Sequence, residues 1–166
     1  GLESADVMGF ESEGIVLRSA DQADCRFVWQ TNNDPTVRKN AIDTSEIPWS
    51  DHQAWYARAL KSADRQLYIV ENDGEPCGVI RMDLNADGNQ AEISIAISED
   101  FRGCGLGRRV IQKAVDKTLE NTSAERIVAL IREDNEASIR AFEAADFERA
   151  GRTTRKNVEL LVFQFS

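Results

Sequence analysis

The sequence predicts an α+β fold: a mixed, largely antiparallel sheet of six to seven strands flanked by about four helices. Three observations carry that expectation. In mid-chain, three β-prone runs follow one another through tight turns. A glycine-rich loop then leads straight into a long amphipathic stretch. A strand, a helix and a final strand close the chain. At about 150 residues per domain, 166 residues make one domain, expected to span 1–166.

Taken in order, Ile15-Val16-Leu17-Arg18 reads as a short strand, and the segment from Asp21 reads as a helix ending at the turn formers Asn32-Asn33-Asp34-Pro35. Ser50 and Gln53 have the spacing of a capping box, so a second helix is expected over Asp51 to Leu60. Leu67 to Val70, the turn Asn72-Asp73-Gly74, and Cys77 to Met82 spell a hairpin. After a turn at Asp87-Gly88-Asn89, Ala91 to Ile97 alternates, with Ile93, Ile95 and Ile97 on one face and Glu92 and Ser94 on the other. The helix after the glycine loop presents Val110, Ile111, Ala114, Val115 and Leu119. Arg126 to Ile131 reads as a buried strand, Asn135 to Ala145 as a helix with Ile139 and Phe142 on one face, and Val158 to Phe165 as the last strand.

Composition narrows the function. The net charge of −9 repels phosphate backbones and anionic bilayers, so neither nucleic acid nor membrane is an expected partner. The longest apolar run, Ile127 to Ile131, is far short of the roughly 20 residues needed to span a bilayer. Gly1 to Asp6 carry two acids and no basic residue, unlike a secretion signal, and a start at Gly1 fits a processed chain or a piece of a longer one. Three cysteines, Cys25, Cys77 and Cys104, without a Cys-x-x-Cys pair fit a reducing compartment, and they give no metal knuckle. A cytoplasmic, metal-free protein is expected.

The loop Arg102-Gly103-Cys104-Gly105-Leu106-Gly107 concentrates the chemistry. Its glycines let backbone N–H groups approach a ligand, and the following helix aims its positive end at the same place. Arg102, Arg108, Arg109 and Lys113 make this stretch basic within an acidic chain, although a glycine turn with a solvated basic face accounts for the same residues. Two phosphate loops are excluded. Arg108 and Arg109 follow Gly107 where a Walker loop needs Lys and a hydroxyl, and the preceding strand is antiparallel where a dinucleotide fold needs a parallel unit.

Arg102-x-x-Gly105-x-Gly107, preceded by Ile95-Ala96-Ile97 and followed by a long helix, resembles the pyrophosphate loop of the GNAT superfamily of acetyl-CoA-dependent N-acetyltransferases. Asn135-x-x-Ser138-Ile139-x-x-Phe142-Glu143-x-x-Asp146-Phe147 resembles that superfamily's downstream helix. The resemblance covers nearly the whole chain. It implies a sheet splayed at the strand before the loop, with acetyl-CoA as co-substrate and its pantetheine arm paired along Ile95, Ala96 and Ile97. It further implies a diphosphate cradled by Arg102 and the amides of Gly103, Cys104, Gly105, Leu106, Gly107 and Arg108, with Asn135 and Ser138 towards the pantetheine and thiol end. Cys104 is expected to contribute only backbone.

An amine attacks a thioester only when neutral, so a proton acceptor is needed, and Glu92 on the same strand is the candidate base, though a solvated strand Glu is the plain alternative. Two positions depart from the family. Phe142 stands where a Tyr is usual and has no proton to give, and Leu130 stands where the ribosomal-protein acetyltransferases have Glu.

Trp29-Gln30-Thr31-Asn32-Asn33-Asp34-Pro35-x-Val37-Arg38, with Ile47, His52 and Trp55, resembles the amino-sugar N-acetyltransferases of nonulosonic acid pathways. Trp29, Asn33, Arg38 and His52 are the expected acceptor contacts, and a nucleotide-linked amino sugar is the expected acceptor. The tryptophans also read as core anchors and His52 as a helix-start residue. A protein N-terminus, a polyamine or another small amine stays open as acceptor, as does a non-catalytic acyl-CoA sensor. The family resemblance also leaves room for a homodimer.

Overall fold

The computed structural model describes residues 14–103 and 105–166, so Gly1 to Asp6 and Cys104 lie outside the described residues. A seven-stranded sheet runs in the order β1-β2-β3-β4-β5-β7-β6. Its strands are β1 (Ile15–Ser19), β2 (Arg65–Asn72), β3 (Glu75–Leu84), β4 (Gln90–Ile97), β5 (Arg126–Ile131), β6 (Glu148–Arg155) and β7 (Val158–Phe165). Every neighbouring pair is antiparallel except β4 and β5. The helices are α1 (Cys25–Asn32), α2 (Pro35–Asn40), α3 (Trp49–Lys61), α4 (Leu106–Asn121) and α5 (Glu136–Ala144).

Alternation along the inner strands divides the core. Tyr68, Val70, Ile80, Met82 and Ile93 join Leu106, Val110, Ile111 and Ala114 of α4 in the larger cluster, while Leu67, Ile69 and Val79 join Val28 of α1 and Tyr56 and Ala59 of α3 in the smaller. At the sheet's first edge, Arg18 reaches Asp24 through two 2.8 Å bonds and Glu71 at 2.9 Å, tying β1 to β2 and to the turn before α1. That pairing holds the Asp24 carboxyl below its usual range.

The splay expected before the glycine loop is present. β4 pairs with β5 only at Gln90↔Arg126, Ala91↔Ile127 and Glu92↔Val128. Beyond Glu92, β4 stays on β3 and β5 stays on β7, so a wedge opens in the middle of the sheet.

Four local readings need correction. α3 starts at Trp49 with Pro48 as its N-cap and no side-chain cap, so Ser50 and Gln53 form no capping box. Asn33-Asp34-Pro35 is a helix start as well as a turn: Asp34 accepts from the amides of Thr36 (2.9 Å) and Val37 (3.4 Å), and Pro35 stands where its missing N–H costs nothing. Leu119 is exposed while Thr118 turns inward. The strand β6 adds to the elements the sequence predicts: Glu-Arg-Ala-Gly-Arg-Thr-Thr-Arg is an outer edge with almost every residue exposed and no apolar face to signal it.

Candidate active site

The wedge opens into a cleft of about 1670 Å³, walled by Ile93 to Ile97 of β4, Ala129 to Ile131 of β5, and the first turns of α4 and α5. Along the wedge the facing edges of β4 and β5 pair with no strand, the geometry that accepts an added extended chain. The glycine loop sits at the mouth. Gly103 and Gly105 have φ of 79° and 75°, a region other residues enter only with strain. Gly105 is the N-cap of α4 and no side chain caps that helix, so its first amides face the cleft with the positive end of the dipole behind them. Gly107 serves packing: a Cβ there would meet the Ala141 Cβ at 3.4 Å, so the start of α4 lies close against α5.

Arg102 does not point freely at the cleft mouth. Its Nη2 donates to Asp34 Oδ1 at 2.8 Å and its Nε to the Ile97 carbonyl at 3.0 Å, joining the end of β4 to the start of α2. Burial raises the Asp34 carboxyl, but Arg102 and the two α2 amides outweigh it and hold the group below its usual range. A second arginine works the same way from the other side. Arg132, just after β5, donates to the carbonyls of Ala41 (2.7 Å) and Ile42 (3.2 Å). The stretch from Asp34 to Ile42 is therefore strapped to both walls of the wedge. Asn135 caps α5 by accepting from Ser138 N (3.3 Å) and donating to Ser138 Oγ (3.0 Å), so these two side chains satisfy one another at the wall.

Glu92 is the last β4 residue paired with β5 and lines the cleft at the point where the wedge begins. Both carboxylate oxygens are taken by Arg155 at the end of β6, at 2.8 and 3.1 Å. Phe142, in place of a hydroxyl-bearing ring, is buried edge-on against Phe147 with centroids 5.0 Å apart.

The four expected acceptor contacts divide. Arg38 and His52 line the cleft, whereas Trp29 and Asn33 do not. Trp29 Nε1 donates to the Ile47 carbonyl (2.8 Å), and Asn33 brackets the same residue through its carbonyl (2.9 Å) and amide (2.7 Å). Both act on the cleft through Ile47, which does line it. Arg38 is committed to the carbonyls of Asn32, Asp43 and Ser45, and burial lowers its pKa.

His52 is 2% exposed, its ring among Trp49, Trp55 and Tyr56 and its Nε2 on the Cys25 carbonyl at 2.8 Å, so Nε2 carries the proton. Burial lowers its pKa, against the raising effect of that bond. As pH falls the unfolded chain is thus protonated first. The stability that neutral His52 contributes is full above about pH 6.5 and is lost as pH falls towards the depressed folded-state value. His52→Gln should cost roughly 2–4 kcal/mol, through lost packing and an unpaired Cys25 carbonyl, and should flatten the decline of Tm with pH below about 6.5. Melts from pH 8 to 5 check this, and an unaltered slope rules out the role.

Arg81 and Ser94 also line the cleft, and Arg155 reaches it through Glu92, none of them among the expected site residues. The available signal was a charged pair, Arg81 and Asp83, on the face of an inner strand that Val79 makes apolar. Among the described residues no group of three or more His, Cys, Asp and Glu could hold a metal ion, and no helix is long and apolar enough to cross a membrane.

The model of the acetyltransferase (GNAT) family matches residues 28–147. The chain belongs to that family. The spermidine N(1)-acetyltransferase of Escherichia coli K12 is 23% identical over 141 residues, which is 84% of this chain and 76% of the relative. Among solved structures, aminoglycoside acetyltransferase AAC(6')-Ib in complex with ribostamycin and coenzyme A superimposes with a TM-score of 0.81 at 20% identity, covering 91% of this chain and 92% of that one. The Vibrio cholerae spermidine N-acetyltransferase, in complex with CoA and spermine, gives 0.82 at 17% identity, covering 92% and 95%. At these identities the likeness to the solved structures is one of fold. For this GNAT domain it fixes the architecture around the wedge.

Proposed function

We propose that this GNAT domain moves the acetyl group of acetyl-CoA to a primary amine of a small molecule by direct attack. The observation that carries the reading is the wedge itself, which opens just after Glu92 and ends at the uncapped start of α4. The pantetheine arm adds as a strand along Ile95, Ala96 and Ile97, the diphosphate lies on the amides from Gly103 to Arg108, and Asn135 and Ser138 flank the thiol end. Coenzyme A in the complexes of the structural neighbours supports it as the cofactor.

In the transfer, the amine nitrogen bonds to the thioester carbon, the developing oxyanion is held by a β4 N–H, and the carbon–sulfur bond then breaks. The amine's proton goes to Glu92 directly or through one water. Phe142 has no proton to offer the departing thiolate, which is protonated by solvent.

For the acceptor we keep a nucleotide-linked amino sugar as the first reading, supported by the Trp29 to Arg38 pattern and by a cleft roomy enough for a second substrate beside the cofactor. A polyamine or aminoglycoside is the second, favoured by the relatives named above. Calorimetry with acetyl-CoA, followed on the same sample by thiol release with nucleotide amino sugars, spermidine and aminoglycosides, tests both. Micromolar binding with turnover on one class is the expected result. Binding without turnover on any amine favours a sensor, and no binding overturns the placement of the cofactor.

A further inference from the structure

The floor of the cleft beyond Glu92 is formed by the α3-facing side of β2, β3 and β4, where Leu67 and Val79 are apolar and Arg81 is not. Arg81 sits opposite Ser94 in the β3–β4 register, one alternate position from Asp83, which itself sits opposite Glu92. Its guanidinium is held at two points: Nε donates to Asp83 Oδ2 at 3.0 Å, and Nη2 donates to Ser94 Oγ at 3.2 Å. Among the described residues Nη1 has no hydrogen-bond partner, and about a third of the side chain remains exposed.

Neighbouring acids do not cancel this charge. Asp83 is shared with Arg65, whose Nε lies 2.7 Å from Oδ1, so a single carboxylate serves two guanidiniums. Glu92 has both oxygens on Arg155. Arg58, exposed in the last turn of α3, and Lys156, in the β6–β7 turn, line the same cleft. Two acids, Asp43 and Asp51, also line the cleft, and Asp43 is held below its usual range first by its hydrogen bonds from Ser45 and only then by Lys156 and Arg38. A polycationic acceptor would meet an oriented positive charge on this floor. An anionic group would meet a guanidinium already fixed by two bonds, so little ordering is left for binding to impose.

We propose that Arg81 is a specificity-determining residue that binds an anionic group, a carboxylate or a phosphate, carried by the acceptor amine. The inference rests on the transfer reading above and narrows it. A nucleotide-linked amino sugar meets the requirement through its diphosphate, and spermidine does not.

The test compares glucosamine 6-phosphate with glucosamine as a matched pair, glutamate as a carboxylate-bearing amine, and spermidine as a polycation, each read as kcat/KM by thiol release. The anionic probe that fits, phosphate or carboxylate, should exceed its neutral or polycationic counterpart at least tenfold. Arg81→Gln should raise KM for that probe at least tenfold while leaving kcat on glucosamine within about threefold. Arg81→Lys, which keeps charge but not the fork, should fall between and serves if the glutamine variant folds poorly. Equal or better turnover of spermidine or glucosamine overturns the proposal while leaving acetyl transfer standing, and so does a preference that survives Arg81→Gln. Calorimetry with inorganic phosphate reads the subsite independently of the cofactor. If the protein binds no acetyl-CoA, the transfer reading falls, yet phosphate binding that is lost in Arg81→Gln still supports the subsite, and binding that is absent or unaltered overturns it.

Discussion

Glu92→Gln should lower kcat by about 10²- to 10⁴-fold, equivalent to roughly 3–5.5 kcal/mol of transition-state stabilisation, while the affinity for acetyl-CoA stays within about threefold. The size follows from what the residue is asked to do. A general base in contact with the attacking amine acts only in the transition state, so its loss appears in kcat and not in cofactor binding. The geometry gives the carboxylate this opportunity and a constraint. It lines the cleft where β4 parts from β5, but both its oxygens are bonded to Arg155. Glutamine preserves the shape and one acceptor for Arg155, which makes it a cleaner probe than alanine. Unchanged kcat at every pH would leave Glu92 with only the structural task of holding the β6–β7 hairpin against β4.

The strand edge, glycine loop and helix start that meet at the mouth of the cleft were legible in the sequence because they are contiguous. Ile95 to Ile97 alternate, the glycines follow within a few residues, and α4 begins at once, so strand edge, loop and helix start fall in one readable stretch. The adjacency of β2, β3 and β4 followed for the same reason, since short turns join them. The rest of the cleft was not legible, because it is made of contacts between distant residues. Arg81 meets Ser94 across 13 residues, Arg155 meets Glu92 across 63, and Arg132 meets Ala41 across 91. No local pattern encodes such a pairing. Trp29 and Asn33 illustrate the other difficulty: residue type pointed to ligand contact, but the backbone of Ile47 takes up their polar atoms and the cleft receives Ile47 instead. The strand β6 escaped for a simpler reason, as an exposed edge carries no apolar alternation to detect.

Arg102→Ala should weaken acetyl-CoA binding by about 10- to 100-fold, or 1.4–2.8 kcal/mol, and Asp34→Asn should not. The contrast separates two tasks that converge on one guanidinium. If Arg102 meets the diphosphate, its removal deletes a charge-assisted contact and also releases the Ile97 carbonyl that it holds at 3.0 Å, loosening the strand edge on which the pantetheine arm is expected. Asp34 supplies no group to the cofactor. Its carboxylate holds Arg102 at 2.8 Å and caps α2, and asparagine retains the cap while surrendering the charge. In Asp34→Asn the cofactor affinity should therefore stay within about threefold, because the guanidinium is freed rather than lost. The acceptor KM should rise severalfold, because the stretch from Asp34 to Ile42 is then strapped to the wedge by Arg132 alone. Calorimetry with acetyl-CoA and steady-state kinetics on the same two variants decide the matter. Equal losses of cofactor affinity in both would mean that Arg102 works by latching β4 to α2, with the diphosphate held by the amides of α4 without it.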